Sequence, residues 1–170
     1  TTTFLVVRHA ERDGNLDKLT KNGEQRSQIL ASLGKALNVQ VIYSTDTERT
    51  KGTAKPLAKT ADIKIRSYKK PSNDWIASVK QNHAGEVVLI VGHNRGLEEA
   101  VREFTGRSDV EMTVASLACL RKTREPNTRE TWEQALEEKG ENAESLWTLE
   151  HLLDRNGQCL DCGWGDVPRG

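Results

Sequence analysis

Three short clusters in the sequence hold groups that grip or attack phosphorus: Arg8-His9 with Glu11 behind them, the stretch from Ser44 to Arg49, and His93-Asn94. Each follows an apolar run of strand length: Thr3-Val7, Val39-Tyr43 and Val87-Val91. In a parallel α/β sheet the carboxyl ends of the strands open on one side, so residues far apart in the chain meet in one crevice there. Two histidines and two arginines would then converge. Guanidinium forks and imidazole donors suit a tetrahedral oxyanion such as phosphate better than a lone carboxylate. Phosphate is the ligand to which the pattern points.

The elements that must place these groups follow from apolar period and length. Thr20 is a helix cap for a helix from about Lys21 to Leu37, in which Ile29, Leu30, Leu33 and Leu37 share one face. A second helix follows Ser44-Thr45-Asp46-Thr47 and runs to about Lys59, with Pro56 expected to kink or shorten it. A short strand at Ile63-Arg66 leads through a turn at Pro71-Asn73 to a helix carrying Trp75, Ile76 and Val79 and ending near Gly85. The unbroken apolar run Val87-Val91 suits the centre of a parallel sheet covered on both faces, and a helix over Gly96-Phe104 follows it. Strands alternating with helices predict an α/β class, a three-layer α/β/α sandwich around a mostly parallel sheet. Val114-Leu120 reads as a further strand with Thr131-Ala135 as its partner, while Leu146, Leu149, Leu152 and Leu153 form one face of an expected last helix. One domain over 1–153 and an irregular tail over 154–170 complete the expectation.

Composition narrows the function classes. The 170 residues include 25 lysines plus arginines and 25 aspartates plus glutamates, so no net field draws the protein to nucleic acid or anionic lipid. No apolar run approaches the ~20 residues of a membrane-spanning helix. The three cysteines are too few for a secreted disulfide framework. Cys159 and Cys162 have the spacing of half a zinc site, but no second pair completes tetrahedral ligation, and no metal is expected. The sequence beginning at Thr1 leaves the location unread; a cytoplasmic one is favoured, with an exported form whose signal has been removed left open.

These residues resemble the histidine phosphatase superfamily, also called phosphoglycerate mutase-like. Val7-Arg8-His9-Ala10-Glu11 is similar to the family's arginine-histidine-glycine motif, with alanine in third place. Asn15 matches an asparagine that helps hold phosphate in some branches, and Leu19-Thr20 with Gly23 and Gln25 resembles the opening of the first helix. Tyr43-Ser44, Arg49-Thr50 and Thr53-Ala54 resemble the stretch that supplies the second arginine, and Gly92-His93 the pair that supplies the second histidine. The ordered match runs from about Phe4 to Phe104; the end of the chain is similar, more loosely, to the short phosphohistidine phosphatases.

The resemblance implies that His9 attacks phosphorus and becomes a phosphohistidine, while Arg8, Arg49 and His93 hold the equatorial oxygens. It implies no cofactor and no metal, because the arginines neutralise the phosphoryl group. Asn15, Asp13, Ser44 and Asn94 are the expected substrate contacts, with a turn or cap role as the other reading of Ser44. The general acid departs from the family pattern: no glutamate insertion follows the second-arginine helix and His93 is followed by Asn94, leaving Glu11 or Asp13 as candidates. A weak acid matters less for a phosphoramidate than for an alkyl ester, because imidazole leaves readily. The reading is therefore a phosphatase acting on a phosphorylated small molecule or phosphoprotein, as a monomer or weak dimer without nucleic-acid or membrane partners. A phosphoryl-transfer mutase and a silent phospho-ligand-binding module are the alternatives.

Overall fold

A computed structural model describes residues 2–106, 108–113, 117–122, 147–153 and 159–162. Four parallel strands form the part of the sheet that matters for the site. These are β1 (Thr3–Arg8), β2 (Val41–Ser44), β3 (Ile65–Ser67) and β4 (Val87–Gly92). The helices between and after them are α1 (Lys21–Ala36), α2 (Glu48–Ala61), α3 (Asn73–Asn82) and α4 (Asn94–Thr105). Three antiparallel strands extend the sheet: β5 (Leu117–Lys122), β6 (Trp147–Leu153) and β7 (Cys159–Cys162), in the order β3-β2-β4-β1-β5-β6-β7.

The order of strands explains the layers. The connections through α1 and α2 step toward the β3 edge, and those through α3 and α4 step back, so right-handed crossovers send the two pairs to opposite faces. Alternation along the central strands divides the core accordingly. Phe4, Val6, Val88 and Ile90 pack with Ile76, Val79, Leu97, Val101 and Phe104 of α3 and α4. Leu5, Val7, Leu89 and Val91 pack with Leu30, Ala31, Ala54 and Leu57 of α1 and α2. This is the expected three-layer α/β/α sandwich, and β4 lies between β1 and β2 so that the ends of all three strands adjoin.

Local chemistry sets the helix starts. Thr20 Oγ1 accepts from Gly23 N at 3.0 Å, and Thr47 and Ser72 cap α2 and α3 in the same manner. α4 differs: its N-cap position is His93, which makes no side-chain cap bond and has no acidic residue in the turn after it. Stability at that terminus has given way to the histidine.

Several expectations are corrected. Of the expected stripe on α1, Leu30 is buried and Leu33 packs against the core, but Ile29 stays 60% exposed and Leu37 40%; the rest of the buried face is Gly23, Ser27, Ala31 and Gly34. Close helix packing is the cause, since a Cβ on Gly34 would stand 2.5 Å from Leu57 Cδ2. Pro56 does not stop α2, which continues to Ala61 and ends at Asp62 in the left-handed conformation. The expected last helix around Leu146, Leu149, Leu152 and Leu153 is strand β6 over the described part, because β5 offers it a ladder from Leu117↔Leu153 to Lys122↔Trp147. Cys159–Cys162, placed in an irregular tail, is strand β7 on the edge of β6. The strand expected at Thr131-Ala135 lies outside the described residues.

Candidate active site

The ends of β1, β2 and β4 bring three of the four expected basic groups together around His9. Its ring lies with its centroid 5.6 Å from that of His93, at 62°, in an edge-to-face arrangement. His9 follows directly on β1, where its backbone N–H donates to the Gly92 carbonyl at 3.1 Å, so the two strand ends hold the two histidines side by side.

The orientation of His9 is fixed by the next residue. Nδ1 lies 2.8 Å from the Ala10 carbonyl oxygen, a group that only accepts, so Nδ1 carries the proton and Nε2 presents a lone pair. The Ala10 N–H donates to Thr53 Oγ1 at 2.9 Å, and Thr53 Oγ1 donates to the Arg49 carbonyl at 2.7 Å, tying the His9 loop to the first turns of α2. His9 is 6% exposed. Burial pushes its pKa down to about 4, and the neighbouring Arg8, His93 and Arg49 act in the same direction against the bond to Ala10.

His93 is neutral for related reasons. Arg49 Nη2 can only donate and lies 3.4 Å from His93 Nδ1, so Nδ1 accepts; Nε2 then carries the hydrogen and donates to Thr45 Oγ1 at 3.1 Å. Thr45 Oγ1 passes its own hydrogen to Thr50 Oγ1 at 2.9 Å. Burial, then the Arg49 charge, lowers the pKa of His93, with Asp17 opposing.

Two guanidinium groups complete the arrangement, and both have capacity to spare. Arg8 Nη1 donates to the Met112 carbonyl at 3.3 Å, and Arg49 Nη1 to Asp17 Oδ1 at 3.0 Å. Arg8 Nε and Arg49 Nε are buried with no hydrogen-bond partner. Burial lowers the Arg8 pKa while Glu98 raises it. Buried donors without partners are costly, and two of them beside a neutral imidazole are groups with which an anion could bond.

The remaining expected residues are distributed unevenly. Glu11 Oε1 is paired with Arg26 of α1, and Glu11 Oε2 is buried without a partner. Ser44 is fully buried and its Oγ donates to the Thr45 carbonyl at 2.9 Å, so its hydroxyl serves the loop rather than a substrate. Asp13, Asn15 and Asn94 are exposed; Asp13 faces Lys18 at 3.8 Å across a hairpin whose stem is the Arg12↔Leu19 bridge, and Asn15 stands at its tip beside Gly14. Arg12, Asp17 and Thr45 were not singled out from sequence. The Arg12 charge depresses the proton affinity of both Arg8 and His93, which places this exposed guanidinium beside the site. Its signal in the sequence was only its place three residues after His9. Among the described residues no three His, Cys, Asp or Glu side chains are grouped to hold a metal ion.

Comparison with known proteins bears on the fold. Residues 4–70 match the family model described as histidine phosphatase superfamily, branch 1. No curated protein sequence matches the chain. Among solved structures, the protein histidine phosphatase SixA complexed with tungstate is 13% identical, with a TM-score of 0.67 over 91% of this chain and 97% of that one. A mycobacterial glucosyl-3-phosphoglycerate phosphatase is 14% identical, with a TM-score of 0.60 over 69% and 89% of the two chains. A phosphoserine phosphatase from Entamoeba histolytica in complex with phosphoserine is 13% identical, with a TM-score of 0.61 over 72% and 91%. The α/β/α sandwich of this chain is therefore the histidine phosphatase, or phosphoglycerate mutase-like, fold.

Proposed function

We propose that the chain is a histidine phosphatase that hydrolyses a phosphomonoester or phosphoramidate through a covalent phosphohistidine on His9. The observation that carries this reading is the pairing of a neutral His9, its Nε2 lone pair free, with buried Arg8 Nε and Arg49 Nε that have no partner of their own. In the first step Nε2 attacks phosphorus in line, the bond from phosphorus to the leaving group breaks, and the leaving group departs with the electron pair. In the second, water attacks the phosphohistidine, orthophosphate leaves, and Nε2 recovers its lone pair. Charge on the equatorial oxygens is met by Arg8 and Arg49, with the neutral His93 ring, held between Arg49 and Thr45, beside them.

The proton supply favours a substrate class. Glu11 is committed to Arg26, Asp13 lies on an exposed hairpin beside Lys18, and Asp17 is committed to Arg49. A substrate whose leaving group needs little protonation, an imidazole above all, fits that set best. Protein phosphohistidine belongs to this class, and so does an aryl or other activated phosphate of a small molecule.

The test offers the pure protein an aryl phosphate, a phosphohistidine peptide and a sugar phosphate, each beside His9→Ala. Turnover that depends on His9, with a phosphoenzyme trapped on that residue, supports the reading. Phosphate binding without turnover on any of the three overturns it in favour of a binding module, and isomerised sugar phosphate in favour of a mutase.

A further inference from the structure

Asp17 does more in this molecule than a surface aspartate needs to. It lies on the hairpin that follows His9, and its two carboxylate oxygens receive three hydrogen bonds. Oδ2 accepts the Glu48 N–H at 3.0 Å, while Oδ1 accepts both the Arg49 N–H and Arg49 Nη1 at 3.0 Å. The amides of Glu48 and Arg49 are the first two of α2. Thr47 serves the next two, its Oγ1 accepting from Thr50 N at 3.3 Å and its carbonyl from Lys51 N at 3.0 Å. The amides of Glu48, Arg49 and Thr50, which have no acceptor within the helical ladder, thus all have partners, and two of the three are supplied by Asp17 from outside the helix.

The third bond is the informative one. A cap is complete with the two amides; the contact to Nη1 holds the far end of the same residue's side chain. With Nη1 on Asp17 and Nη2 directed at His93 Nδ1, the guanidinium plane of Arg49 is pinned at two corners, and its Nε is left buried and unpaired. An arginine side chain loses rotamer entropy when it is held in one place, and a group fixed in advance need not lose it when an anion arrives. The same three donors hold the Asp17 pKa below its ordinary value, the backbone amides contributing most, so the carboxylate stays ionised and is ill suited to deliver a proton.

We infer that Asp17 is the positioning residue of the site: it aims the Arg49 guanidinium at the transferred phosphoryl group and acts on the reaction only through Arg49. The inference rests on the phosphatase reading for its catalytic consequence, but the immobilisation of Arg49 stands on geometry alone.

The experiment is a double-mutant cycle with a second readout that needs no turnover. Asp17→Ala is expected to lower kcat/KM on an aryl phosphate about 10- to 100-fold, the cost of a misplaced binding group. In an Arg49→Ala background the same change is expected to cost less than about twofold, because the group it aims is gone. Asp17→Asn, which keeps one carbonyl acceptor, is expected to fall between wild type and alanine. A loss carried undiminished into the Arg49→Ala background would mean a purely structural role for Asp17 and overturn the inference. Independently, 15N relaxation of Arg49 Nε in the ligand-free protein is expected to show an order parameter that falls below about 0.6 in Asp17→Ala. Unchanged order in that variant would also overturn it. If the wild type shows no turnover dependent on His9, the phosphatase reading fails, and the relaxation result still decides whether Asp17 holds Arg49.

Discussion

Gly92 leaves no room for a side chain beside Tyr68: a Cβ at that position would stand 2.5 Å from the Tyr68 hydroxyl and 3.0 Å from Leu97 Cδ2. The hydroxyl has little freedom to retreat, because it donates to the Val91 carbonyl at 3.0 Å inside the core. Gly92→Ala is therefore expected to destabilise the protein by about 1–3 kcal/mol, the usual range for overpacking. Urea unfolding of Gly92→Ala, Tyr68→Phe and the double variant checks this. Removing the hydroxyl removes the nearest clashing atom, so the double variant is expected to lose less than the two single losses together. Gly92 also directly precedes His93, so Gly92→Ala is expected to lower turnover as well.

Stability is expected to fall with acid in a window set by His9. Its folded pKa is depressed from 6.5 to about 4, so between those values the unfolded chain takes up a proton that the folded imidazole refuses. Above that window His9 binds no proton in either state and adds no pH dependence. His93, lowered in the same direction, acts with the same sign. Unfolding midpoints measured at pH 7.5 and pH 5 should separate more in the wild type than in His9→Ala. Equal separations would mean that His9 is not held neutral.

The commitment of Glu11 to Arg26 makes a statement about leaving groups. Phosphoramidates and phosphates of acidic phenols are expected to turn over at least about 100-fold faster than alkyl phosphates, the scale of a missing general acid. Glu11→Gln is expected to change aryl phosphate turnover by less than about threefold while lowering the melting temperature. A much larger loss, greatest on alkyl esters, would assign proton donation to Glu11 after all.

With Arg8 and Arg49 as the groups that neutralise the phosphoryl oxygens, turnover is expected to stay within about twofold after dialysis against a chelator. Orthovanadate, which takes the trigonal bipyramidal shape of the transferring phosphoryl group, is expected to inhibit at least about 100-fold more tightly than phosphate. Inhibition no tighter than by phosphate itself would count against in-line attack by His9.

The strands and helices through Phe104 were legible because their apolar residues keep a helical or unbroken strand pattern and end at polar caps. Thr20, Thr47 and Ser72 each stand one residue before the helix they begin. The face that α1 buries was legible at Leu30 and Leu33 but not at its small residues: Gly34 and Leu57 meet only because α2 lies against α1, and a glycine carries no hydropathy signal of its own. The leucines of Trp147–Leu153 suit a helix face or a strand, and the free edge of β5 decided between them.

The same division runs through the site. Residue type and position after apolar runs determined that Arg8, His9, Arg49 and His93 would gather at the strand ends, because a parallel sheet opens those ends on one side. Which ring nitrogen of each histidine carries hydrogen depended on the Ala10 carbonyl, Arg49 and Thr45, partners that come into reach only after folding. Ser44 passed from expected ligand to buried loop residue, and Asp17 from an unremarked hairpin position to the partner of Arg49, for one reason. Hydrogen-bond geometry is a matter of a few tenths of an ångström between segments distant in sequence, and only the packed chain sets it.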